Sequence, residues 1–314
     1  LSLAMLGVGV LITGLVEANM TFYLATIIMS IGFHYFETIN GSLTLQWVDK
    51  DKTAEFLGRV IATRSAASII AFSFIWILFQ QFQMSYLFLY AIGGGVSVVL
   101  VLFCWQHFPL FPEKVTQTKK IILRKRYWLY YALQFMSGAR RQIFVVFAGF
   151  LMVEKFNFTV AEISLLLIAN AAINVVFAPK IGRLIQRFGE RKSLIFEYVG
   201  LSLIFAGYAF VESSTFAVFL YIADHLLFSI AIALKTYFQK IADPADIASS
   251  AGVSFTINHI AAVFIPVVFG LVWLYSPSLV FLAGSGMAII SLLLAFNMPA
   301  KPASGNEVLI GKLL

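Results

Sequence analysis

The sequence predicts an all-α membrane protein, ten transmembrane helices arranged as two bundles. Three observations carry that reading. Of 314 residues, 61% are hydrophobic and 12% charged, with a mean hydropathy of +0.91, whereas a soluble domain carries about 25% charged residues. No soluble core hides that much apolar surface, so the bilayer is the solvent. The apolar residues also fall in continuous runs of about 20, not in the alternating ~10-residue segments of a membrane β-barrel. Finally, the basic residues gather in alternate loops between the runs.

In chain order the spans cover residues 1–17, 22–48, 56–80, 85–107, 127–153, 160–179, 194–211, 215–240, 248–274 and 278–298. Several exceed the ~20 residues a crossing needs, which implies tilt, breaks or protrusion. The first, LSLAMLGVGVLITGLV, lacks the basic start of a signal peptide and runs into VEANM, a poor cleavage site, so it reads as a membrane helix. The loops EANMT, QFQM, EKFNFT, ESST and YSPS hold one basic residue, Lys155. The alternate set holds Lys50, Lys52, Arg59, the clusters Lys114–Arg126 and Lys180–Lys192, Lys240, Lys301 and Lys312. Positive residues stay inside, so this second set faces the cytoplasm. The net charge of +7 then belongs to cytoplasmic loops and does not call for nucleic acid. The longest loop, 109–126, is basic and contains two prolines. It divides an N-terminal bundle of four helices (1–108) from a six-helix C-terminal bundle (127–300), which ends in a cytoplasmic tail (301–314). Cys104 is the only cysteine, so no intrachain disulfide forms.

An internal repeat is visible. WVDKDKTAEFLGRVIATRSAASII (47–70) matches the pattern of IADPADIASSAGVSFTINHIAAVF (241–264). In the register of Gly58 on Gly252, both run acidic residue, polar turn, Ala, Gly and apolar helix. Asp49 then falls on Asp243, and Arg64 on Asn258. Duplicated halves are common in transporters. The stretch GRLIQRFGERK, from Gly182, resembles the cytoplasmic signature loop of the major facilitator superfamily, G-x-L-x-D-R-x-G-R-[RK]. Gly182, Leu184, Arg187, Gly189 and Lys192 stand in their places, while Gln186 replaces the Asp and Glu190 an Arg. The resemblance covers the chain in architecture. It implies a two-bundle transporter that alternates between inward- and outward-open states. It also implies a chain truncated at its N-terminus, holding helices three to twelve of twelve, with a cavity lined mainly by the first, fourth, seventh and tenth. GRLIQRFGERK would be the degenerate second copy of the loop, and Gln186 removes the acidic side chain through which such a loop would gate.

Ionisable residues deep in the spans can be found without the family. They are His34 and Glu37 in IGFHYFETINGS, Arg140 and Arg141 in QFMSGARRQIFVVFAGF, and Asp224 and His225 in LYIADHLLF. A charge at mid-bilayer costs roughly 2.5–3.5 kcal/mol on insertion scales, so all six are candidate substrate-binding residues. Under the resemblance they fall on the fourth, seventh and tenth helices. Arginine offers a fork of donors suited to a carboxylate, phosphate or sulfonate. Glu37 and Asp224 are the candidate proton carriers, since a low-dielectric cavity tolerates an uncharged carboxyl. His34 shares a helix face with Glu37, and His225 adjoins Asp224. Adjacent arginines point about 100° apart on a helix, so one is expected at the substrate and the other in a structural pair; the alternative makes both pairs structural. Glu197 is expected to pair with Arg191 or Lys192, Asn170 and Asn174 to bridge helices, and Gly93–Gly95 to permit close approach. Arg64, Asn258 and His259 read as packing or gate residues.

Nothing points to catalysis. There is no phosphate-binding glycine loop, no zinc-spaced Cys/His set and no nucleophile elbow, so no enzyme, metal or cofactor is expected. The reading is a monomeric secondary transporter, proton-coupled, for a small anionic or zwitterionic solute, in a bacterial inner membrane or a plasma membrane. Sodium is the alternative coupling ion. A broad drug exporter and a membrane sensor or subunit that moves nothing are the competing functions.

Overall fold

The computed structural model describes residues 1–16, 19–109, 111–112 and 114–311. Glu17 and Ala18 at the end of the first expected span, Leu110 and Glu113 in the linker, and Lys312 with the rest of the tail lie outside the described residues.

The fold is helical because backbone groups in lipid must be satisfied within the segment itself. The helices are α1 (Ser2–Leu15), α2 (Asn19–Trp47), α3 (Thr53–Phe82), α4 (Tyr86–His107), α5 (Trp128–Gln142), α6 (Gly149–Phe156), α7 (Val160–Phe188), α8 (Glu190–Phe210), α9 (Ser214–Phe228), α10 (Ile232–Ile241), α11 (Ile247–Tyr275) and α12 (Pro277–Phe296). A π-helical segment, Ile143–Ala148, joins α5 to α6, and a 3-10 turn, Ser229–Ala231, joins α9 to α10. Each of these two composite rods makes one span. Among the described residues, nine segments are long and apolar enough to cross a membrane. The first expected span is the shorter apolar helix α1, whose 14 residues reach about 21 Å. Helix α7 overruns its expected end at residue 179. It carries Pro179 inside and continues to Phe188. Gly182, Leu184 and Arg187 are therefore helical, Lys192 lies in α8, and the expected loop shrinks to a turn at Gly189. GRLIQRF keeps apolar residues at helical spacing, which sustains the helix. Gly189, at φ 82°, supplies the left-handed residue that ends it.

The chain forms two compact units. The first comprises Leu1–Thr44 and Ile70–Thr116. Within it α1 packs along α4, with Leu11 seated at Gly94 and Val10 at Gly93; Gly95 faces open space. The second comprises Leu45–Ile69 and Gln117–Leu314. Here α8 packs along α12, and α5 along α11. The turn between α2 and α3 belongs to this second unit. The Gln239 amide donates to the carbonyls of Leu45 (2.9 Å) and Val48 (2.8 Å), and Gln186 donates to that of Asp51 (2.6 Å). At the same end α3 crosses α7 so closely that a Cβ on Gly58 would strike the Ala178 carbonyl, and one on Gly182 the Ala54 carbonyl. Gly252, the repeat partner of Gly58, faces open space.

Other segments close this basic end. Gln117 donates to the Pro244 carbonyl (2.9 Å), and Arg124 grips Asp246 through Nε (3.0 Å) and a second nitrogen (2.9 Å). The tail folds back, with Val308 buried and the Tyr237 hydroxyl donating to the Glu307 carbonyl (2.6 Å). Lys240 pairs with Glu190 at 2.6 Å, joining the C-terminal turn of α10 to the first turn of α8, each charge complementing its helix dipole.

Two hydrophobic clusters fill the second unit. One, towards the basic end, holds Leu133, Leu194, Tyr198, Ile230, Tyr237 and Phe238. The other holds Ile143, Phe147, Leu201, Phe205, Tyr208, Tyr221 and Phe281. Along α5, α8 and α9 the change from one cluster to the other falls near Arg140, Glu197 and Asp224.

Candidate functional site

The layer between the clusters is charged and closed. Arg140 is 1% exposed, and Glu197 and Asp224 are 0% exposed. The Arg140 guanidinium lies 3.9 Å from the Glu197 carboxylate, an ion-pair distance too long for a direct hydrogen bond. It stacks over the Tyr198 ring at 4.4 Å, and its Nε donates to the Met136 carbonyl at 3.3 Å. Asp224 is within electrostatic reach of both Arg140 and Glu197. Among the described residues, neither carboxylate has a hydrogen-bond partner, nor do the Tyr198 and Tyr208 hydroxyls or the two terminal nitrogens of Arg140. Polar groups held just beyond direct contact in this way are the usual setting for bridging water.

The backbone is irregular beside this layer. The Arg pair ends α5, and the π-helical segment follows at once. Asp224 and His225 close α9, and the 3-10 turn follows four residues later. Both breaks turn consecutive side chains in different directions, as such breaks often do at functional sites.

Arg141 lies outside the buried layer. It is exposed, its guanidinium sits 5.9 Å from the Phe228 ring, and it is within electrostatic reach of His225. His225 Nε2 meets the Asn174 amide at 2.8 Å, and the Ser229 hydroxyl donates to Asn174 Oδ1 at 3.1 Å. Arg141, Asn174, His225 and Ser229 thus form a second polar group on α5, α7, α9 and the turn after it.

The structure therefore separates residues that the sequence reading had grouped. Arg140 and Asp224 are both buried in the core of the second unit, within electrostatic reach of each other. Arg141 and His225, within electrostatic reach of each other, lie nearer its surface. His34 and Glu37 lie three residues apart on α2 of the first unit, where the Thr38 hydroxyl donates to the His34 carbonyl (2.9 Å). The expected pairing of Glu197 is also corrected. Glu197 does not pair with Arg191 or Lys192; it faces Arg140, while Arg191 donates to the Phe296 carbonyl (3.0 Å). Its nearness in sequence to the basic cluster misled. The signal that finds it is the buried stripe Leu194, Glu197, Leu201, Phe205 and Tyr208, which turns it into the core at helical spacing. Asn174 does bridge helices, whereas the Asn170 amide is buried with no hydrogen-bond partner among the described residues; Gly138 lies against Asn258 of α11, which accounts for the small residue there.

Nine segments long and apolar enough to cross a membrane, among the described residues, and a charged layer in the core of one unit define a multi-pass integral membrane protein. The family model of the Major Facilitator Superfamily matches residues 1–266 and, again, 130–311. The chain belongs to that superfamily; it is a secondary transporter and not an enzyme. It is similar in fold to the Escherichia coli fucose:proton symporter FucP (TM-score 0.73, 15% identity, 94% of this chain and 82% of that one). It is likewise similar to the human organic anion transporter MFSD10 (0.72, 12%, 94% and 75%). A bacterial homologue of the iron transporter ferroportin, in its outward-facing state, also matches (0.65, 16%, 94% and 82%). No curated protein sequence matches the chain.

Proposed function

We propose that the protein is a proton-coupled transporter of a small anionic or zwitterionic solute, and that its second unit divides the labour between its two arginines. One observation carries this reading. Two buried carboxyls, Glu197 at 3.9 Å from the Arg140 guanidinium and Asp224 within its electrostatic reach, have one cation between them in a site closed to solvent. With both carboxyls ionised the cluster would hold an unbalanced negative charge in the core, a costly state; with one protonated it is neutral. The group Arg140, Glu197 and Asp224 is therefore built to hold one exchangeable proton. That a structurally similar protein is a fucose:proton symporter supports the coupling ion, and that another is an organic anion transporter supports the charge of the solute.

Arg141 is the substrate's anchor. It presents a guanidinium that no buried carboxylate neutralises, beside the Asn174–His225 hydrogen bond, where a carboxylate or phosphate would find a forked donor. His34 and Glu37 remain the candidate substrate contacts of the first unit. The basic end is placed in the cytoplasm by its lysines and arginines.

The test is transport into liposomes with the full chain. A competition panel of organic acids and amino acids against lipophilic cations identifies the solute class. Asp224→Asn and Glu197→Gln should each abolish accumulation driven by a pH gradient while preserving solute exchange at equal concentrations, because exchange needs no net proton movement. Full gradient-driven accumulation in both variants rules out this cluster as the coupling site.

A further inference from the structure

The proton cluster is sealed, so it needs an entrance. At the end of the second unit opposite the basic loops, a cleft of about 360 Å³ opens between α6, α8, α11 and α12. Glu154, Lys155, Tyr208, Trp273, Ser278 and Phe281 line it. Glu154 is exposed at its mouth and accepts a hydrogen bond from the Trp273 indole at 2.8 Å. Lys155 is turned aside into an ion pair with Glu212 at 2.9 Å. Tyr208 lines the cleft but is only 2% exposed, with its ring stacked on Phe281 at 5.0 Å. Its hydroxyl is buried and has no hydrogen-bond partner among the described residues. That hydroxyl is within electrostatic reach of Asp224 and Tyr221.

We infer that this cleft is the proton entrance, with Tyr208 as the relay between Glu154 at the mouth and Asp224 in the core. The inference rests on the reading of Arg140, Glu197 and Asp224 as the proton site. Titratable groups mark the whole route. Glu154 on α6 stands at the mouth, Tyr208 on α8 at the floor, and Tyr221 and Asp224 on α9 beyond it. Arg140 on α5 and Glu197 on α8 face Asp224 from the other elements. In the transfer, an incoming proton binds the Tyr208 oxygen as the proton already there passes, across bridging water, to an Asp224 oxygen. The phenol ends as it began, and one carboxylate becomes a carboxylic acid. The route runs inside one unit, so it does not require the proton and the solute to share a path.

The experiment needs no substrate. The full chain, reconstituted in lipid, is followed by infrared spectroscopy after a pH jump, at the protonated-carboxyl band that Asp224→Asn or Glu197→Gln alters. Tyr208→Phe, which keeps the ring stack, should slow the band about tenfold or more while leaving its final amplitude unchanged. Ser278→Cys in a Cys104→Ala background, blocked as a mixed disulfide with a bulky methanethiosulfonate, should be slowed in the same sample and restored by reductant. Parent-like rates in both experiments overturn the entrance. A band that neither Asp224→Asn nor Glu197→Gln alters overturns instead the proton site on which the entrance rests.

Discussion

Arg140 and Arg141 are neighbours in sequence with opposite surroundings, so their substitutions should separate cleanly. Arg140→Ala leaves two buried carboxyls without their cation, a loss of about 3–5 kcal/mol for a broken buried pair, and thermal denaturation should show it as a large fall in stability. Arg141→Ala should leave folding and monodispersity intact and weaken solute binding; Arg141→Lys, which keeps the charge and loses the fork, should weaken it by about 1–3 kcal/mol in a titration. The reverse pattern, with Arg141 essential for folding and Arg140 for binding, would exchange the roles assigned above. Removing the whole cluster at once, with Arg140→Met, Glu197→Met and Asp224→Leu, should recover much of the lost stability, because a buried ionic group replaced by apolar side chains leaves no charge unpaired. At this scale the sequence was legible in part. An arginine or aspartate inside an apolar run announces itself, and Arg140 and Asp224 were found that way. Glu197 did not stand out, because it lies within two turns of the basic residues Arg191 and Lys192; the helical spacing of its apolar neighbours Leu194, Leu201 and Phe205 is what turns it into the core.

Among elements, the crossing of α3 with α7 is held by the absence of side chains. Gly58→Ala would drive a methyl into the Ala178 carbonyl, and hydrogen exchange at the start of α3 should rise. Gly252→Ala, at the equivalent repeat position, meets nothing, and should be neutral or stabilising by up to about 1 kcal/mol, since alanine is the better helix former. Equal effects at the two sites would show that the repeat preserves this contact after all. The spans themselves were legible because lipid leaves the backbone few options. The two interruptions were not. QIFVVFAG reads as ordinary helix, and whether it winds as α or π depends on what the arginines before it must reach. The end of α7 was also misread, because hydropathy falls at Lys180 while helical periodicity persists to Phe188.

For the whole molecule, the segregation of charge predicts the orientation. Lys119→Cys and Ser214→Cys, both at exposed positions, should react with an impermeant thiol reagent from opposite faces of the membrane in a Cys104→Ala background. Reaction from the same face would overturn the placement of the basic end in the cytoplasm. That end holds the α2–α3 turn through the amides of Gln186 and Gln239, whose acceptors are the backbone carbonyls of Leu45, Val48 and Asp51. Neutral donors on carbonyl acceptors are little affected by dissolved ions, whereas exposed ion pairs weaken as ionic strength rises. The fastening should therefore hold equally well in dilute and in salty solution. Because it grips main chain, it does not depend on the identity of the exposed side chain of Asp51, whose carbonyl Gln186 holds.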